Sequence, residues 1–203
     1  MGRNRQPQCK QCRREGEKIC YKHKCATIKR NYAPGVHGVK RQGRLSEYGQ
    51  QLRAKQKVKR LYGLMEKQFS NYYKKSKRKT GDTSEILMRL LESRLDNVIY
   101  RLGYTTSRHL ARQIIRHGHF QVNGRLVNIP SYQVKDGELI SLDPKSKELK
   151  IFKNLSKSLQ KQTFPEWVSF DINTLEGKIL SKPAVDDLKE AYNINLIIEY
   201  YSR

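Results

Sequence analysis

The apolar positions along the chain first recur at helical spacing and then alternate. In DTSEILMRLLESRLDNVIYRLG, Ile86, Leu87, Leu90, Leu91, Leu95, Val98, Ile99 and Leu102 return every three or four residues. That spacing predicts one long amphipathic helix, capped by Asp82 or Thr83 and stopped by Gly103. A shorter helix is expected from about Ser107 to His117, with Leu110, Ala111, Ile114 and Ile115 inward and Gly118 at its end. HFQVNGRLVNIP then reads as two strands joined by Asn123-Gly124, the pair suited to a type I′ hairpin turn. SYQVKDGELISL predicts a second pair of strands around Asp136-Gly137, and WVSFDI and LIIEYY read as further strands. Upstream, Ser46 is the expected N-cap of a helix carrying Leu52, Lys55, Lys59 and Arg60. A second helix with Met65, Phe69, Tyr72 and Tyr73 should break at KKSKRKTG, and RNYAPGVHGVKRQGR should be an extended surface loop.

These elements predict an α+β protein: a mostly helical N-terminal part, then helix, helix and antiparallel sheet. No internal repeat is evident. Four segments are expected: a cysteine knuckle with a basic Gly-rich arm (1–45), a basic helical domain (46–91), the helix–helix–sheet module (92–155), and a C-terminal segment packed back on the body (156–203).

Charge narrows the class of partner. The 203 residues hold 42 Lys+Arg against 19 Asp+Glu, a formal net charge of +23. Residues 1–81 contain 24 basic and four acidic residues, a net +20, and the remainder 18 and 15, a net +3. Self-repulsion on that scale is best relieved by a polyanion, and its concentration in one part points to nucleic acid. No apolar run approaches the ~20 residues that cross a bilayer. MGRNRQPQ has no hydrophobic signal region, and MGRNRQ lacks the hydroxyl residue of a myristoylation motif. A cytosolic or organelle-matrix location is expected, with neither a membrane nor a small-molecule substrate as partner.

All four cysteines fall within CKQCRREGEKICYKHKC, as C-x2-C, seven residues, then C-x4-C. Clustered cysteines without an export signal suggest metal chemistry ahead of disulfides. Two close pairs on separate turns can converge on one tetrahedral ion, so Cys9, Cys12, Cys20 and Cys25 are the expected ligands of one structural Zn2+. An iron–sulfur cluster is the alternative metal group, and His23 could replace Cys25 as fourth ligand. Lys10, Arg13, Arg14, Lys18, Lys22 and Lys24 would offset the negative charge of four thiolates.

Arg108, Arg112 and Arg116 stand at i, i+4 and i+8, one stripe opposite the apolar face of their helix. A solvated helix face is the ordinary fate of such a stripe; beside the N-terminal charge it reads as a binding surface. His109, His117 and His119 lie near it in sequence, Arg94 and Arg101 come from the preceding helix, and the amides around Ser107 could receive a phosphate. With Arg13, Arg14, Arg44, Lys55, Lys59, Arg60, and Asn123 and Arg125 of the hairpin, these are the residues expected to face a nucleic acid.

LLESRLDNVIYRLGYTTSRHLARQIIRHGHFQVNGRLVNIPSYQVKDGELI resembles the helix–helix–sheet RNA-binding module named after ribosomal small-subunit protein four. The resemblance continues through YAPGVHG, RLSEYGQQLRAKQKVKRLYGLMEKQF and the terminal EYYSR, so it covers nearly the whole chain in order. The four cysteines are similar to those of the zinc-bearing variant of the family, with a shorter spacer between pairs than in some members. The resemblance implies direct, early binding to small-subunit 16S-type rRNA near a multi-helix junction of the 5′ domain. It further implies a place where messenger RNA enters the subunit, contact with small-subunit protein five, and influence on decoding accuracy.

Two other classes compete. An RNA-modifying enzyme is one, because the same module is appended to pseudouridine synthases and some tRNA synthetases, and SRLD echoes a synthase motif. Asp96 lies within the amphipathic helical pattern, however, and no separate catalytic domain fits the remaining chain, so no enzymatic activity is expected. A zinc-dependent nucleic-acid-binding regulator fits the cysteines and charge but not the long module.

Overall fold

The computed structural model describes residues 6–39, 43–153, 155, 159, 164–183 and 192–203. Lys40 to Gln42 of the expected loop lie outside them. The chain forms two compact units, Met1–Met88 with Asp186–Arg203, and Arg89–Val185. The segment 156–203 is therefore divided between the two.

The first unit begins with α1 (Gln8–Glu15) and α2 (Ala26–Lys29), followed by a 3-10 turn at Val36–Val39 inside the stretch expected to be extended. Helix α3 (Glu47–Leu61) starts where expected, because the Ser46 hydroxyl accepts from the Gly49 amide at 3.2 Å. Helix α4 (Glu66–Lys77) runs further than expected into the basic run, with Phe69, Tyr72, Tyr73 and Ser76 buried. The run of cations sits in its last turn, where the helix dipole favours positive charge.

LIIEYY is not a strand but part of the helix Ile194–Ser202, which packs on α3. A short continuous apolar run suits either state, and the fold decides it. Ile194 and Ile197 are buried, and Tyr201 stacks on Tyr73 with ring centroids 4.8 Å apart. Such an aromatic pair adds about 1 kcal/mol beyond burial. Beneath it, Glu66 accepts from Lys55 Nζ and Tyr201 Oη at 2.8 Å through Oε1, and from Lys59 Nζ at 2.8 Å through Oε2. Burial opposes ionisation of Glu66, but these three donors outweigh it and hold the carboxyl down to about 2.

The expected single helix from Asp82 to Gly103 is two, α5 (Thr83–Glu92) and α6 (Leu95–Arg101). Asp82 caps the first, its carboxylate accepting from the Ser84 amide at 3.0 Å. The break at Ser93-Arg94 has a tertiary cause. The amides of Leu95 and Asp96 donate to the carbonyls of Tyr132 and Pro130, Val134 donates to Ser93, and Arg94 forms a bridge with Gln133. The same bonds explain why SYQV is not a strand of a second hairpin: its backbone is committed to the helix break. Of that expected pair β3 (Leu139–Leu142) forms.

Helix α7 (Arg108–Arg116) matches expectation, N-capped by Ser107, whose hydroxyl accepts from the Leu110 amide at 3.3 Å. The hairpin β1 (Phe120–Val122) and β2 (Arg125–Leu126) turns through Asn123 and Gly124 at φ 49° and 75°. Both central residues of a type I′ turn need positive φ, which Asn and Gly tolerate. β4 (Val168–Asp171) is WVSFDI as expected, and β5 (Glu176–Ile179) was not foreseen. The five strands form one antiparallel sheet in the order β2-β1-β3-β5-β4. Its buried face pairs Phe120 with Leu142 and Val122 with Ile140. Leu95, Val98, Ile99 and Leu102 of α6 and Ala111, Ile114 and Ile115 of α7 complete this core. Gly177 admits Leu102 closely: a Cβ there would meet Leu102 Cδ1 at 2.7 Å. The α+β class stands.

Candidate nucleic-acid interface and metal centre

Helix α1 opens after Pro7 and carries Cys9 and Cys12 one turn apart, with Gly16 ending it in a left-handed conformation. The chain then folds back, so that the amides of Ile19 and Cys20 both donate to Cys12 Sγ at 3.3 Å. Cys25 sits just before α2, with Thr27 Oγ1 3.5 Å from its Sγ.

The sulfurs of Cys9, Cys20 and Cys25 lie within 4.8 Å of one another, a group that could hold a metal ion. Zn–S bonds of about 2.3 Å in a tetrahedron place sulfurs about 3.8 Å apart, so the spacing fits a metal with little rearrangement. Cys12 lies outside that group but within side-chain hydrogen-bonding contact of Cys20 and Cys25. His23 is exposed and outside it. Burial and a bond to Cys25 push the Cys20 thiol up to about 12. Cys25 is the acidic member: burial opposes its ionisation, but bonds from the Thr27 hydroxyl and amide and from Cys20 and Cys12 bring it down to about 6.

The knuckle is tied to α3 through acids. Glu15, with its side chain 2% exposed, pairs with Arg60 and with Arg53 at 3.2 Å, and Glu17 pairs with Lys57 at 2.7 Å. Burial keeps the Glu15 carboxyl above its usual range in spite of both arginines. Arg13 stacks over Tyr32 at 4.6 Å and donates to the Tyr32 and Ala33 carbonyls at 3.0 and 3.2 Å. These contacts order the start of the Gly-rich arm.

The expected RNA-facing residues separate by where they point. Arg14, Arg44, Arg116, His117, Asn123 and Arg125 are exposed. Lys55 and Arg94 are not: each is 3% exposed. Lys55 donates to Glu66 and lies 4.4 Å from the Tyr200 ring centroid, and Arg94 Nη2 reaches Asp96 Oδ2 at 2.7 Å. Their charge is used inside the fold, which corrects their placement on the binding surface.

Lys59 and Arg60 are paired with Glu66 and Glu15 while keeping 15% and 17% of their side chains exposed. Arg101 forks onto Glu92 at 3.0 and 3.1 Å, and Arg112 onto Asp96 at 2.7 and 3.1 Å. Arg108 Nε donates to Asn97 Oδ1 at 2.7 Å. The stripe of α7 is therefore graded, with Arg108 and Arg112 partly held inward and Arg116 outward. Removing one partner of the buried Asp96 cluster would cost about 3–5 kcal/mol.

Ser107 is buried and spends its hydroxyl on the cap, so the helix start is self-satisfied at Leu110. His109 is half-buried, and His119 Nδ1 lies 2.8 Å from Ser146 Oγ. Asn123 Oδ1 accepts from the Leu139 amide at 2.8 Å, which makes it a turn residue as well as an exposed one. Sequence reasoning passed over Lys74, Lys75, Lys77, Arg78 and Lys79, all exposed at the end of α4. The charge run KKSKRK was the available signal. It also passed over the buried acids, whose role only tertiary contacts disclose.

Among the described residues, no helix is long and apolar enough to cross a membrane. Residues 3–92 match the family described as Ribosomal protein S4/S9 N-terminal domain, and residues 93–140 match the S4 domain. The chain is 49% identical over 209 aligned positions to small ribosomal subunit protein uS4 of Nitrosospira multiformis, covering all of both chains. It is 45% identical to uS4 of Thermus thermophilus with the same coverage, and 49% identical to uS4A of Clostridium botulinum over 96% of each. The chain belongs to the uS4 family of small ribosomal subunit proteins, a non-enzymatic family, and carries an RNA-binding S4 domain over α6, α7, the β1–β2 hairpin and the start of β3.

Proposed function

We propose that this chain is a structural constituent of the small ribosomal subunit that binds 16S-type rRNA directly and nucleates assembly of the subunit body. In this reading it lies near small-subunit protein five and the point where messenger RNA enters, and contributes to translational accuracy. The observation that carries it is the direction of charge. Glu15, Glu92 and Asp96 have side chains 1–2% exposed and are spent on internal pairs, while Arg14, Lys74, Lys75, Lys77, Arg78, Arg116 and Arg125 face solvent. Among the described residues exposed cations outnumber exposed acids, and that excess suits the phosphate backbone of folded RNA.

Cys9, Cys12, Cys20 and Cys25 would hold one Zn2+, Cys12 completing the set from its adjacent position. Four thiolates leave no open coordination position, so the ion would supply folding energy to the knuckle.

The test is salt-dependent binding to a 16S-type 5′-domain transcript. Replacing Arg116 and Arg125 by glutamine should weaken binding about 10-fold and flatten the log–log salt slope by roughly two. An unchanged slope in the double variant would remove these side chains from the interface.

A further inference from the structure

We propose that Glu92, Asp96 and Asn97 are positioning residues for RNA recognition, holding Arg101, Arg108 and Arg112 as a preset set of guanidinium groups for phosphates. The proposal rests on the RNA-binding reading above and adds residues that cannot themselves reach RNA. Glu92 is 1% exposed, Asp96 2% and Asn97 0%.

Their side chains form two short strings. In one, Asp96 accepts from Arg94 on one side, at 2.7 and 3.0 Å, and from Arg112 on the other, at 2.7 and 3.1 Å. In the second, Glu92 receives the Nε–Nη2 edge of Arg101 and the Asn97 amide at 2.8 Å, and Asn97 accepts from Arg108 Nε. Arg108 is steadied further by the Tyr100 ring, whose centroid lies 4.4 Å from its Cζ.

Each string ends at the protein surface. Arg101 keeps 27% of its side chain exposed and Arg112 14%, and Arg108 is half-buried. The two strings bring four arginines onto two carboxylates and one amide. A buried ionic network is a weak source of stability compared with apolar side chains of the same volume, so its use here calls for another advantage. Guanidinium groups already held by hydrogen bonds lose less rotamer freedom when a phosphate arrives.

Charge and position make opposite forecasts. Glu92→Gln and Asp96→Asn each remove a negative charge, so attraction by net charge alone would tighten binding to the 16S-type 5′-domain transcript. Positioning predicts that each variant of the full chain, although more positive, binds about 10-fold more weakly with a salt slope flatter by roughly one. Folded variants that bind as tightly as the parent or more tightly would overturn the proposal.

If Asp96→Asn does not fold, a double-mutant cycle of Asn97→Ala with Arg108→Lys decides. Positioning expects Asn97→Ala to weaken binding only while Arg108 is present, whereas additive losses would overturn it. Arg116→Gln with Arg125→Gln separates the two levels. If that pair has no effect, the RNA surface itself is misplaced; if it weakens binding while the buried variants do not, only positioning fails.

Discussion

A chain lacking residues 1–81 is expected to bind a 16S-type 5′-domain transcript about 100- to 1,000-fold more weakly than the full chain at physiological salt. The deleted part holds 24 basic against four acidic residues. Three of those acids, Glu15, Glu17 and Glu66, pair with Arg53, Arg60, Lys57, Lys55 and Lys59. Lys10, Arg14, Lys18, Lys22, Lys24, Lys29, Arg30, Arg44 and Lys67 remain exposed there, besides the run at the end of α4. Even a few phosphate contacts among them account for the forecast, since salt dependence grows by nearly one unit of slope per contact.

The deletion also strips the C-terminal helix Ile194–Ser202 of its partner α3, so a version ending at Val185 is the matched control. That version keeps the whole α6–α7–sheet core and should retain weak binding with a shallow slope. Equal affinity of the shortened and full chains would show that the charge asymmetry does not direct RNA binding.

The second large effect concerns the metal. Replacing Cys20 and Cys25 by serine should lower bound zinc from one per chain to none. Residues 8–33 should lose hydrogen-exchange protection, while the melting of Arg89–Val185 stays unchanged. Structural zinc in comparable small motifs is worth about 10–16 kcal/mol to the folded form, far more than α1 and α2 can supply by contacts alone. α2 is four residues long and buries only Thr27. Because the thiols must be deprotonated to bind, acidification of the parent should release the ion and produce the same loosening. The broad visible absorption of an iron–sulfur cluster in the purified protein would replace zinc in this account. Absence of any metal from natively purified parent protein would refute it.

Legibility in the sequence followed the range of the interactions involved. Helix α7, the Ser46 cap and the Asn123-Gly124 turn were readable because each depends on neighbours a few residues away. The break at Ser93-Arg94 was not, because backbone bonds from residues 130–134 impose it on a run whose local periodicity is unbroken. LIIEYY went wrong for a related reason: an apolar run lacks a period until α3 supplies the surface that selects Ile194 and Ile197.

The candidate site divides in the same way. Cysteine spacing pointed to a metal group, and the fold brings Cys9, Cys20 and Cys25 together with Cys12 beside them. A count of cations could place charge in the N-terminal part. It could not tell that Lys55 and Arg94 are spent on Glu66 and Asp96, because that depends on which carboxylates the fold buries.

The central claim is membership of the assembled small subunit. Its most direct test is quantitative mass spectrometry of small subunits purified through a high-salt gradient from the cells that make this protein. One copy per 16S-type rRNA, retained after the salt wash, is the predicted result. A chain that washes off, or that is present in far less than one copy per subunit, would contradict it.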